Sequence, residues 1–127
     1  MAYSTSQPAG QAVKNILDAL PGLIAVAVVD VESGMSLASH TNKETFNPDT
    51  AAAYNTEVIK QKSKAIKALK LSEENIEDIL ITLSSQLHLL KLVGNGSKFI
   101  YLAVSSRDTN LAIAREVLRS QTELLSK

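Results

Sequence analysis

A chain of 127 residues is long enough for one domain with its own buried core, and the absence of cysteine excludes disulfides and thiolate chemistry. Thirteen basic and thirteen acidic residues cancel and aromatics make up only 4%, which argues against both a basic nucleic-acid binder and a base-stacking platform. The longest apolar run, Leu23 to Val29, is too short to span a bilayer and no basic segment leads into an apolar one near Met1, so a cytoplasmic protein without membrane insertion is expected.

Residues 1–10 (MAYSTSQPAG) are small and polar, with Pro8 and Gly10, and are expected to be a disordered leader to a single domain over residues 11–127. From Gln11, the residues Val13, Ile16, Leu17 and Leu20 recur on one helical face until Pro21-Gly22 stops it. Leu23 to Val29 and Met35 to Ser39 then read as a hairpin across Ser33-Gly34. Asp30 and Glu32 lie beside that Ser-Gly pair. Carboxylates so placed do acid–base work only where something displaces their pKa values, and otherwise they are solvated turn residues, which is the reading adopted.

Asn47-Pro48-Asp49 is a helix start. Asn47 can cap, Pro48 suits the first helical position, and Asp49 favours the positive end of the dipole. The helix is predicted to run to about Leu69. Its apolar arc of Ala51, Tyr54, Val58, Ile59, Ala65, Ile66 and Leu69 is wider than the roughly 100° stripe that one packing surface needs. Lys62 falls near the middle of the arc, which is costly unless its ammonium escapes to water at a seam between two surfaces. A subunit interface accounts for both features. Lys60, Lys64 and Lys67, beside Thr56 and Ser63, are expected on the opposite face as a cationic ridge; the plain alternative is an ordinary solvated face.

Three strands follow, Ile76 to Ser84, Gln86 to Val93 and Lys98 to Ser105, the last two joined by Gly94-Asn95-Gly96-Ser97. In the last strand Phe99, Tyr101 and Ala103 alternate with Ile100, Leu102 and Val104, so both faces are apolar and helices should cover both sides. The histidines are His40 and His88. No second ligand stands at a metal-like spacing from His88, and no Ser-His-Asp order, GxSxG string or glycine-rich phosphate loop is present, so no metal, no cofactor and no enzymatic activity are expected. Asp108 or Thr109 is expected to cap a final helix with Ile113, Ala114, Val117, Leu118, Leu124 and Leu125 on one face and Arg115, Glu116, Arg119 and Glu123 opposite. The order α-β-β-α-β-β-β-α predicts an α+β fold, a three-layer α/β/α sandwich around a five-stranded antiparallel sheet.

Three strings in this order resemble the Roadblock family of dynein light chains and bacterial GTPase regulators. GLIAVAVVDVESGMSLAS (22–39) resembles its first hairpin, ILITLSSQLHLLKLV (79–93) its third and fourth strands, and TNLAIAREVL (109–118) its last helix. The resemblance covers about residues 11–125, with Ser33-Gly34-Met35 standing where many relatives carry Asp-Gly-Leu. It implies a homodimer in which third strands pair edge to edge and second helices lie side by side. Ala51, Tyr54, Val58, Ile59, Lys62 and Ala65, with Ile79, Ile81 and Leu83 alternating along the open strand, then form the interface. It also implies a noncatalytic chain that binds a small Ras-like GTPase. Because the whole chain is neutral, the local concentration of Lys60, Lys64 and Lys67 is expected to steer an acidic partner surface, and the partner-binding site is placed there. Because bacterial activators of this family are thought to reposition the GTPase's own residues, Arg115 is read as a salt-bridge or cap residue and not as an inserted arginine. The alternative is an assembly adaptor, dynein-light-chain-like or a signalling scaffold, with no effect on nucleotide turnover. An enzymatic reading requires Asp30, Glu32 and His88 to converge in one pocket.

Overall fold

A computed structural model describes residues 3–126 of the chain. The elements are α1 (Pro8–Ala19), β1 (Leu23–Asp30), β2 (Ser36–Thr41), α2 (Pro48–Ala68), β3 (Ile79–Thr82), β4 (Gln86–Leu92), β5 (Lys98–Ser105) and α3 (Leu111–Leu125). All strand pairs are antiparallel in the order β2-β1-β5-β4-β3, so the strand that is apolar on both faces, β5, lies at the centre of the sheet. Phe99 to Val104 are all buried there. Each large apolar side chain among them contributes about 1.5–3 kcal/mol relative to exposure.

The alternation of β1 and β5 divides the core into two layers. Val26, Val28, Ile100, Leu102 and Val104 point towards α1 and α3, meeting Val13, Ile16, Ala114 and Leu118. Ala25, Ala27, Val29, Phe99 and Tyr101 point the other way, towards Ala52 and Ile59 of α2. Alanine on both surfaces lets α2 approach β1 closely. Helices α1 and α3 also hold each other, Asn15 Nδ2 donating to Gln121 Oε1 at 3.0 Å. The three-layer sandwich is thus as the periodicities predict, with two helices on one side and one on the other.

Strand β2 is displaced to Ser36–Thr41 from the expected Met35 to Ser39, and element ends differ from expectation more markedly in three other places. Helix α1 starts at Pro8 and not at Gln11, because proline suits the first helical position, where no N–H is needed. Of the expected leader, Met1 and Ala2 lie outside the described residues; Gln7 N–H donates to the Ser4 carbonyl, and this turn packs against buried Gly10, where a Cβ would sit 1.8 Å from Ser4 O. Helix α3 is capped by Asn110, whose Oδ1 accepts from Ile113 N–H at 3.1 Å; the Thr109 hydroxyl instead donates to the Pro21 carbonyl at 3.0 Å. Strand β3 is only four residues long, with Leu83 just beyond it in the turn to β4.

Helix α2 begins as its sequence dictates, Asn47 Oδ1 accepting from the N–H groups of Asp49 and Thr50 at 2.9 and 3.1 Å. Its end is unusual. Lys70 has φ 58°, the left-handed conformation that closes a helix by returning Leu71 N–H to the Ile66 carbonyl and its own N–H to Lys67. A side chain bearing Cβ pays about 1–2 kcal/mol there. Lys70→Gly is therefore expected to stabilise the fold by about 1 kcal/mol net of glycine's greater freedom when unfolded, seen as a rise of roughly 4 °C in a thermal melt. An unchanged or lower midpoint would contradict this account of the α2 terminus.

Candidate interaction surface

At 3.6 residues per turn, α2 turns three distinct surfaces outwards from its axis. Ala52, Thr56 and Ile59 form the buried stripe over the sheet. On one flank, roughly 80–140° from Ile59, lie Ala51, Tyr54, Val58 and Ala65; on the other, at a similar angle, lie Lys60, Lys64 and Lys67. The lysines thus flank the stripe and do not stand opposite it. Thr56, expected among them, is buried, because its hydroxyl satisfies itself by donating to the Ala52 carbonyl at 2.7 Å.

The β1–β2 hairpin fixes which way each flank faces. Gly34 lies beside Thr56, and Lys60 is close enough to add to the attraction felt by Asp30, so the Lys60 end of this flank borders the hairpin, while Lys67 lines the groove at the far end of α2. The opposite flank is turned to the β4–β3 half of the sheet, where Ala51, Val58, Ile79 and Leu92 rest half-buried against the core. Tyr54 is 74% exposed there, Lys62 is exposed, and Ile59, only 3% exposed, belongs to the protomer's own core. The breadth of the apolar arc therefore has two causes: Ile59 supplies internal packing, and Tyr54, Val58, Ala51 and Ala65 extend beyond it.

Strand β3 continues this surface. Ile79 and Ile81 share the α2 side with their partners Leu90 and His88, and all but Leu90 are half-buried. The outer edge of β3 has no strand neighbour among the described residues.

The remaining candidates are structurally engaged. Asp30 Oδ2 accepts from the Ser33 hydroxyl at 2.7 Å and the Ser33 N–H at 2.9 Å, and these bonds, the hydroxyl first, hold its carboxyl below the usual carboxylate range. His88 Nε2 lies 2.8 Å from Gln86 Oε1 and Nδ1 lies 3.2 Å from the Tyr101 hydroxyl. All three groups are satisfied if Tyr101 donates to Nδ1 and Nε2–H donates to Gln86. Burial lowers the His88 pKa and raises that of Tyr101, favouring the neutral form of each, with Phe46 edge-on to His88 and stacked on Tyr101. Asp30 and His88 do not converge: Ala103, the partner of His88, pairs with Ala25, five residues along β1 from Asp30, or roughly 16 Å of strand rise. Among the described residues no group of three His, Asp or Glu is placed to hold a metal, and no helix is long and apolar enough to cross a membrane.

Arg115 forms a salt bridge, as its position suggested, and its partner is Asp78. One feature has no signal in the sequence. A groove of about 1050 Å³ opens between the end of α2, the segment leading to β3, the β4–β5 turn and the end of α3, floored by Ile66, Leu71, Ile76 and Val93. Four separate stretches build it, so no local spacing announces it.

No family sequence model matches the chain, and no curated protein does. Solved structures do share its fold. A Roadblock/LC7 domain from Streptomyces avermitilis superposes with a TM-score of 0.75 at 12% identity, over 89% of this chain and 90% of that one. The gliding protein MglB of Thermus thermophilus gives 0.72 at 18% identity, over 94% and 86%. An MglB structure with a tetrameric arrangement gives 0.73 at 17% identity, over 98% and 92%. The chain has the Roadblock fold; at these identities the likeness is one of architecture.

Proposed function

We propose that this Roadblock-fold chain is a noncatalytic homodimer that binds a small Ras-like GTPase and modulates its GTP hydrolysis. The observation that carries the reading is a pair of unfinished surfaces on the α2 side of the sheet, the open edge of β3 with Ile79 and Ile81 and the apolar α2 flank of Ala51, Tyr54, Val58 and Ala65. Open edges recruit a strand, and an exposed apolar flank recruits a second surface. A second copy related by a twofold axis satisfies both at once, β3 beside β3 and α2 beside α2, with Ile79, Ile81, Leu83 and Lys62 at the seam. The tetrameric arrangement of an MglB of the same fold is consistent with a chain of this shape assembling with copies of itself.

The partner is assigned to the lysine flank. Lys60 and Lys64 lie on the flank of α2 opposite the apolar one, Lys67 lies on the wall of the groove at the end of α2, and a twofold axis would double all three. On a chain with no net charge, this local cluster steers an acidic surface, raising the association rate and making it fall with salt. Lys60→Glu with Lys64→Glu is expected to abolish capture of the cognate GTPase and leave the sedimentation of the dimer unchanged. Equal recovery of that GTPase by both forms would remove the partner site from this flank. Recovery of larger partners, with GTP turnover unaffected, would identify the chain as an assembly adaptor.

A further inference from the structure

Of the ion pairs among the described residues, Lys14–Asp18 lies within α1, and Arg119–Glu116 and Arg119–Glu123 lie within α3. The fourth spans 37 residues. Arg115 Nε and Nη2 donate to the two carboxylate oxygens of Asp78 at 2.9 and 3.1 Å, a two-pronged fork that fixes direction as well as distance. The Asp78 side chain is only 19% exposed, so water competes for it less than at an open surface.

The position of this fork matters more than its strength. Asp78 is the residue immediately before β3. Residues 69–78 contain no helix or strand, and β3 itself is four residues long, hydrogen-bonded on one side only, with no side chain fully buried. Short, half-covered strands of this kind sit at the low-stability end of a domain. Arg115, by contrast, rises from a helix whose next residue towards its N-terminus, Ala114, is fully buried in the core. A second tie comes from β4, where Lys91 Nζ donates to the Glu77 carbonyl at 3.0 Å. The approach to β3 is thus lashed to α3 and β4 one residue apart.

We propose that the Arg115–Asp78 fork is the positioning clamp of the dimer edge, holding β3 extended and in register before a second copy arrives. The inference rests on the dimer reading above. A strand that frays must be ordered at the moment of pairing, and that cost is subtracted from the association. A strand already clamped avoids it. Arg115 touches no partner in this scheme and acts entirely through β3.

The test uses the full chain as wild type, Arg115→Lys, Arg115→Gln, Asp78→Asn and the Arg115→Gln, Asp78→Asn double variant. Sedimentation from nanomolar to micromolar concentration gives the dimer Kd, and amide hydrogen exchange, at concentrations where all forms are monomeric, gives local opening. Arg115→Gln is expected to raise Kd at least tenfold and to speed exchange across residues 78–83 by a similar factor, with β1 and β5 unchanged. Arg115→Lys, which keeps the charge and loses the fork, should fall between. The double variant should be no worse than either single one. A wild-type Kd in Arg115→Gln would overturn the clamp alone, as would faster exchange throughout the chain, the mark of general destabilisation. A wild type that stays monomeric throughout would overturn the dimer reading and the clamp with it.

Discussion

Val58→Asp is expected to yield a folded monomer. Val58 is half-buried at the margin of the core beneath α2, on the flank proposed to meet the second copy. In the isolated protomer an aspartate at this position reaches water by turning outwards, so the fold should lose no more than about 1.5 kcal/mol, the transfer term of a partly buried valine. In the dimer it is enclosed with its symmetry mate, and an unpaired carboxylate in an apolar seam is penalised by several kcal/mol. A rise in dimer Kd of at least 100-fold, about 2.7 kcal/mol, follows. Sedimentation equilibrium reads the association and urea denaturation at a concentration below the dimer Kd reads the protomer. Persistence of the dimer at wild-type affinity would move the seam away from this flank.

A second large effect is expected at the turn between α1 and β1. Gly22 has φ 79°, and a Cβ there would lie 2.7 Å from Thr109 Oγ1 and 2.9 Å from Asp108 Cβ. The clash is not easily relieved, since Thr109 is tied to the Pro21 carbonyl and the Gly22 carbonyl itself accepts from Ser105 N–H at 2.8 Å. Gly22→Ala should therefore cost on the order of 3 kcal/mol, of which about 1–2 is the left-handed backbone alone. Gly96 has nearly the same φ, 76°, with nothing within 4 Å of its Cβ position. Gly96→Ala then isolates the backbone cost, and the difference between the two urea midpoints measures the clash. Equal losses at both sites would refute the close packing inferred at Gly22.

The order and type of the elements could be read from the sequence because hydrophobic period switches cleanly between 3.6 and 2, and the Asn47-Pro48 start of α2 carries its own cap. Errors arose where a distant group decides a local outcome. Thr109 was a plausible cap until Pro21, 88 residues away, claimed its hydroxyl and left Asn110 the task. The polar Thr56 reads as exposed, yet a bond to Ala52 four residues back frees it to be buried. The fork between Arg115 and Asp78, and the groove at the end of α2, join stretches with no common period and so leave no trace in spacing. The start of α1 is marked in the sequence, since Pro8 is itself a start signal. Of the surface, the excess apolar arc of α2 was visible, whereas the lysines' flanking position depends on which residues the sheet claims.

The placement of β5 between β1 and β4 governs how the chain must fold as it is made. Strand β1, LIAVAVVD, is complete early, but its partner β5 emerges roughly 70 residues later, Asp30 pairing with Lys98. At ribosomal rates of about 5–20 residues per second, that delay is roughly 4 to 14 seconds. During it, β1 can pair with β2 and receive α1 and α2, while its other edge, rich in valine and alanine, stays open to neighbouring nascent chains. Closure of the sheet thus waits for β5 to emerge, and truncation before β5 is expected to leave an aggregating fragment and not a smaller domain.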